Sequence, residues 1–211
     1  PFQWEVLSVD GKAVRASNGG LLAVDGVIGA EPPGQVIVIP AFGSPQPGLL
    51  IEAVRRNAGL LPWLTAQYKA GATLAATCAG TFLLAESGVL DGKPATTSWW
   101  LATAFEHRYP KVKLDLAAMV TRGDRVVCSG AGMSHFDLAL HFIGQLAGRD
   151  IARACARYTV LDDRRRSQAP FMILEHARRY DPLITRAERW IKANLRRDVS
   201  VAEIAVQVAV S

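Results

Sequence analysis

The chain has 211 residues, 50% of them hydrophobic, and a formal net charge of +5. That length supports one substantial core and part of another, and the composition is ordinary for a soluble protein. No uninterrupted apolar run approaches membrane-spanning length and the first residues lack the layout of a secretion signal, so neither a membrane partner nor export is expected. Cys78, Cys128 and Cys155 are odd in number and far apart. They fit free thiols in a reducing cytoplasm better than a disulfide framework, they form no zinc pattern, and no metal or cofactor is expected.

In chain order, short apolar runs alternate with amphipathic stretches, the pattern of an α/β domain. Val36-Ile37-Val38-Ile39-Pro40 is the clearest central strand, followed by the turn Ala41-Phe42-Gly43-Ser44-Pro45 at its carboxyl end, where open α/β sheets place their ligands. Helices are expected around 48–57 and 61–70, the second stopped by Gly71. Ala72 to Thr77 then reads as a buried strand ending at Cys78, with a helix starting at once. Such a turn sets the thiol near unpaired amides and the positive end of the helix, which favours the thiolate. A small apolar residue filling the junction is the other reading, and the local sequence leaves both open.

Gly88 to Lys93 forms a breaker-rich turn, Ala95-Thr96-Thr97 extends briefly, and Ser98 is placed to cap a helix carrying Trp99, Trp100, Leu101, Ala104 and Phe105. The tryptophans fit a pocket wall or a core equally. Residues 114–120 and 125–128 resemble two arms of a hairpin. Ser129-Gly130-Ala131-Gly132-Met133-Ser134 then leads into a helix with Leu138, Ala139, Leu140, Phe142 and Ile143. Its glycines match neither the dinucleotide fingerprint nor a phosphate loop. Among His107, His135, His141 and His176, His135 is the best candidate for a base beside Cys78, because it follows a strand near a helix start.

The last third changes character. Residues 1–148 carry 11 basic and 11 acidic side chains, residues 149–198 carry 13 and 7. A basic tract neutralises phosphates, but Arg164-Arg165-Arg166 and Arg178-Arg179 read equally as a solvated linker and helix surface. Residues 161–180 mark the edge of the α/β domain. Asp181-Pro182 starts a helix, and Ser200-Val201-Ala202-Glu203 fits a capping box before a short Ala/Val helix. A long capped helix followed by a short one is compatible with the opening of a helix-turn-helix unit.

The run Cys78-Ala79-Gly80-Thr81-Phe82-Leu83-Leu84-Ala85-Glu86-Ser87-Gly88-Val89-Leu90-Asp91-Gly92-Lys93-Pro94-Ala95-Thr96-Thr97 resembles the cysteine elbow of transcriptional regulators with an N-terminal DJ-1/PfpI-like domain and a C-terminal AraC-type DNA-binding domain. Val38 to Gly43, Cys128 to Gly132 leading to Asp137-Leu138-Ala139-Leu140, Asp181-Pro182-Leu183-Ile184 with Trp190-Ile191, and Ser200 to Ala205 match in order. The resemblance implies a flavodoxin-like open sheet sandwiched by helices, followed by the first helices of a helix-turn-helix domain. It divides the chain into a sensor or dimerisation domain at 1–165, a linker at 166–180 and an incomplete DNA-binding domain at 181–211. It also implies that the chain is part of a longer protein, with a first strand and helix before Pro1 and recognition helices after Ser211.

The departures are specific. Many relatives have histidine where this chain has Ser98, and Ala79 excludes the adjacent Cys-His pair of PfpI-type proteases. The expected function is therefore DNA-binding transcription regulation in the cytoplasm, as a homodimer, with an α/β part that senses a small-molecule effector or dimerises. The expected ligand-binding residues are Ala41, Phe42, Gly43, Cys78, Ala79, Ser98, Trp99 and Gly130. The apolar supply of Trp63, Trp99, Trp100 and Phe105 motivates the dimer. The enzymatic alternative is a cysteine-dependent amidase, hydrolase or hydratase, with Cys78 attacking and amides near Gly43 and Ala79 stabilising negative charge.

Overall fold

The computed structural model describes residues 3–16, 18–29, 36–43, 46–162, 165–172, 182–195 and 197–208. The chain opens with β1 (Leu7–Ser8), β2 (Val14–Arg15), β3 (Leu21–Leu22) and β4 (Gly26–Val27), which form two small ladders, β1 parallel to β4 and β2 antiparallel to β3. The main sheet begins at β5 (Val36–Ile39); helices α1 (Pro47–Arg56) and α2 (Leu60–Lys69) cross over to β6 (Thr73–Thr77), parallel to it. After α3 (Thr81–Glu86), β7 (Pro94–Ala95) and α4 (Ala102–Arg108), β8 (Lys113–Leu114) returns to pair with β7. The hairpin β9 (Val120–Gly123) and β10 (Val126–Ser129) completes a four-stranded mixed sheet in the order β5-β6-β10-β9. Helices α5 (Ser134–Leu146) and α6 (Arg149–Tyr158) follow, then α7 (Pro182–Ala193) and α8 (Val201–Val208). The open α/β sheet flanked by helices, with further helices behind it, is the fold the sequence led us to expect. No described helix is long and apolar enough to cross a membrane.

Strand alternation explains the layering. Leu74, Ala76, Val126 and Cys128 face one side of the sheet and join the larger core, while Ala75 and Val127 face the other and meet Leu138 and Phe142 of α5. A strand buried on both faces has no polar side to show, which is why β6 reads as a continuous run of small and apolar residues. Under α1 to α4 the core is filled by Leu50, Val54, Leu64, Phe82, Leu84 and Phe105. The Phe82 ring meets Phe105 edge-on at 5.0 Å and Tyr109 at 5.7 Å. Beside them Arg108 donates to both Glu86 carboxylate oxygens, at 2.9 and 2.7 Å, and the Tyr109 hydroxyl donates at 2.7 Å. Burial alone raises the Glu86 pKa, but these bonds outweigh it and hold the carboxyl below its ordinary value.

Several expectations change. Val36–Ile39 lies at one end of the four-stranded order, with Val38 52% exposed, and β6 and β10 are the central strands. An apolar run reports burial, not position in a sheet. The hairpin arm starts at Val120, because Lys113–Leu114 belongs with β7. Phe105 is fully buried in the core, so it offers nothing to a partner surface. The helix start at Asp181 and residues 173–180 of the linker lie outside the described residues.

Candidate functional site at the cysteine elbow

At the end of β6 the chain enters one 3₁₀ turn, Cys78–Gly80, and continues directly into α3. Cys78 has φ 53°, a left-handed conformation uncommon for any residue but glycine, and such strained positions cluster at functional sites. Close packing holds it there. A Cβ on Gly80 would lie 2.6 Å from the Ile39 carbonyl oxygen and 2.7 Å from that of Pro40, so the elbow rests directly on the end of β5 and only glycine fits. The Thr97 hydroxyl donates to the Cys78 carbonyl at 2.8 Å and the Thr81 hydroxyl to that of Thr96 at 3.0 Å. These bonds tie the elbow to residues 96–98, and Cys78 Sγ lies 2.7 Å from Ser98 Oγ.

Ser98 is fully buried and makes no side-chain cap bond to the following turn; its hydroxyl faces the thiol instead. No described histidine hydrogen-bonds Cys78. The expected partner His135 is exposed, with Nδ1 3.2 Å from the Gly132 oxygen and its ring against Phe136. The reason is helical phase: Ser134, Leu138 and Phe142 are the buried residues of α5, and the neighbouring position points outward. His107 is exposed at the end of α4, and His176 is outside the described residues. A serine hydroxyl is no general base at neutral pH, so the pair itself offers a thiol and a hydroxyl for contact.

The other expected residues gather at the same end of the sheet. Ile39 is level with Ala76, Ala76 with Cys128, and Thr77 with Ser129, so β5, β6 and β10 end side by side. Ala41 is exposed, Phe42 packs against the core, and Ala79 is buried in it. Gly43, at φ +77°, abuts Leu50 and Ala53 of α1. Trp99 is half-buried, edge-on to Trp100 at 5.1 Å. Gly130 faces protein: a Cβ there would meet the Gln168 amide at 2.6 Å. None of the eight lines the cavity of about 1060 Å³ that opens between β9, α5 and α6.

Gln168 is the residue that sequence reasoning missed. It is 2% exposed; its Nε2 donates to the Leu116 carbonyl at 2.8 Å, the Thr97 carbonyl at 3.0 Å and the Thr96 hydroxyl at 3.0 Å. Its Oε1 accepts from the Ala131 amide at 3.1 Å. Backbone bonds from Gln168 to Ala117 and from Met119 to Arg166 dock the segment beside residues 117–119. One glutamine in a charged stretch carries no local signal of such a role. Of the other thiols, Cys155 is half-buried on α6, and Cys128 is fully enclosed, its pKa pushed by burial up to about 12.

An open mixed sheet between helices, with one cysteine held in a strained strand-to-helix elbow, defines a class of α/β proteins arranged around a single turn. The model of the DJ-1/PfpI family matches residues 2–145, and the chain belongs to that family. It is 32% identical over 179 residues to the HTH-type transcriptional regulator CdhR of Pseudomonas aeruginosa, covering 85% of this chain and 51% of that protein. It is 27% identical over 212 residues to the HTH-type transcriptional regulator GbdR of the same species, covering 100% and 56%. The chain thus spans about half the length of the curated relatives it matches. Its fold is similar to the crystal structure of an AraC family transcriptional regulator from Pseudomonas putida, with TM-score 0.60 and 22% identity over 75% of this chain and 81% of that one. This kinship supports a regulatory role at a general level.

Proposed function

We propose that the intact protein is a DNA-binding transcription regulator whose α/β part senses a small metabolite beside Cys78, forms a homodimer contact, or both. Residues 181–211 are read as the opening of an AraC-type helix-turn-helix domain, with 166–180 as the linker from the domain at 1–165. The observation that carries this reading is the Cys78–Ser98 pairing at 2.7 Å: the elbow keeps its strained geometry, and among the described residues its thiol is partnered by a hydroxyl and by no histidine, the base a cysteine nucleophile uses. The capping box supports the helical part, with Ser200 N–H donating to Glu203 at 2.9 Å and Glu203 N–H to the Ser200 hydroxyl at 3.2 Å.

The test is binding of the full-length protein to DNA upstream of its own gene. Salt-sensitive, sequence-selective binding is expected, altered by an effector in the parent protein and less so in Cys78→Ala. Residues 1–211 alone are expected to bind that DNA poorly. Folded, dimeric protein that ignores DNA at low and physiological salt rejects the reading. Turnover of a small amide or ester that Cys78→Ala abolishes replaces it with a cysteine hydrolase.

A further inference from the structure

A second concavity lies away from Cys78. Strand β9, helices α5 and α6 and residues 165–166 enclose about 1060 Å³, at the upper end of the volumes that hold small ligands. Five arginines and two aspartates line it. Arg165 is bonded to Asp137, Arg153 pairs with Asp150, and Asp115 turns an oxygen to the Ala118 amide at 3.1 Å. Arg122 and Arg149, both exposed, have no ion-pair partner among the described residues.

His141 supplies a separate observation. It lines the same cavity, yet its Nε2 is shut off from solvent and has no hydrogen-bond partner. A buried polar nitrogen left unpaired loses its hydration without compensation, and such groups in folded proteins call for an explanation. Burial and the nearby Arg122 charge lower the His141 pKa, which favours the neutral ring, with one N–H to donate. A solvated arginine face would account for Arg122 and Arg149 alone; it does not account for the unpartnered nitrogen of His141.

We propose that this cavity binds a small organic oxyanion, a carboxylate- or phosphate-bearing metabolite, through Arg122 and Arg149, with the His141 ring turning to bring its enclosed Nε2 to the anion, independently of the cysteine elbow. The oxyanion takes hydrogen bonds from the guanidinium forks and the imidazole N–H. Met119, Val120 and Leu140 on the walls give apolar surface that a metabolite's carbon skeleton covers. A duplex backbone, which needs a stripe of cations on an open surface, makes no use of it.

The experiment is an NMR titration of full-length protein, labelled with ¹⁵N-histidine, using inorganic phosphate and, separately, succinate, at ionic strength held constant with potassium chloride. The His141 imidazole signal, assigned with His141→Gln, is expected to shift along a saturable curve. Arg122→Gln with Arg149→Gln is expected to weaken the response at least about tenfold, equivalent to about 1.4 kcal/mol, while Cys78→Ala leaves it unchanged. Which probe saturates first identifies the headgroup as phosphate or carboxylate. Both substitutions are at exposed positions, and an unchanged thermal midpoint verifies that the variant is folded. The proposal is overturned by a shift that potassium chloride alone reproduces, by equal affinity in the folded double variant, by no saturable shift with either probe, or by a response confined to duplex DNA.

Discussion

The cysteine elbow and the arginine-lined cavity solve opposite problems. At the elbow, the Cys78 carbonyl, the Thr96 and Thr97 carbonyls and the Cys78 thiol all have protein partners, and Gly80 leaves no spare space. In the cavity, Arg122, Arg149 and His141 Nε2 have no hydrogen-bond or ion-pair partner among the described residues. Groups that already have protein partners hold a site's geometry; groups without partners have more to offer a ligand. Substitutions at the first should therefore be read out in stability and substitutions at the second in binding.

The largest expected effect is at the elbow floor. Gly80→Ala drives a methyl against two carbonyl oxygens of β5, and chemical denaturation should show a loss of about 3 kcal/mol, at the upper end for overpacking a rigid site. Next comes Gln168→Ala, which strips partners from the Leu116 and Thr97 carbonyls and the Ala131 amide; about 2 kcal/mol is expected by the same measurement, from buried groups left unpaired. Thiol chemistry separates the elbow cysteine from the enclosed Cys128. In the folded protein near pH 7, a maleimide should label Cys78 well before Cys128, whose pKa of about 12 keeps it protonated; equal rates would remove the special status of the elbow. Arg122→Gln should shift stability by no more than about 0.5 kcal/mol, as exposed positions usually do. A much larger loss there would break the contrast.

The smallest effect concerns α8. The Ser200 amide and hydroxyl and the Arg197 guanidinium bring the Glu203 pKa down to about 2. Because the folded value lies below the ordinary carboxylate value, the capping box supports the helix fully above that ordinary range. Support fades as pH falls toward 2. Circular dichroism of the parent and Glu203→Gln should differ at pH 6 and converge at the acid end.

What was legible in the sequence follows the range of the interactions. The strand Thr73–Thr77 and the Ser200–Glu203 box are local patterns, and each forms as its residues dictate. Ser98 looked like a helix cap because capping is also local chemistry, but a thiol 20 residues away is its partner. His135 looked like a base because it follows a strand, and the helical phase of α5 turns it outward. Gln168 was invisible: its partners lie 37 to 72 residues earlier in the chain, and no periodicity encodes such a distance. The cavity was equally hidden, since β9, α5, α6 and residues 165–166 meet only after folding.

Gln168 also bears on how such proteins are cut and recombined. The charge run at 164–166 invites a cut after Arg165, yet Gln168 is wedged against Gly130 and bonded to both Thr96 and Thr97. A hybrid joined at 165 would inherit a foreign side chain at the place where this amide belongs, and the glycine opposite would face a hole or a clash. Exchange of C-terminal segments between relatives is expected to preserve the α/β fold when the junction falls after Met172, with residues 165–172 travelling with the residues 117–119 they dock on.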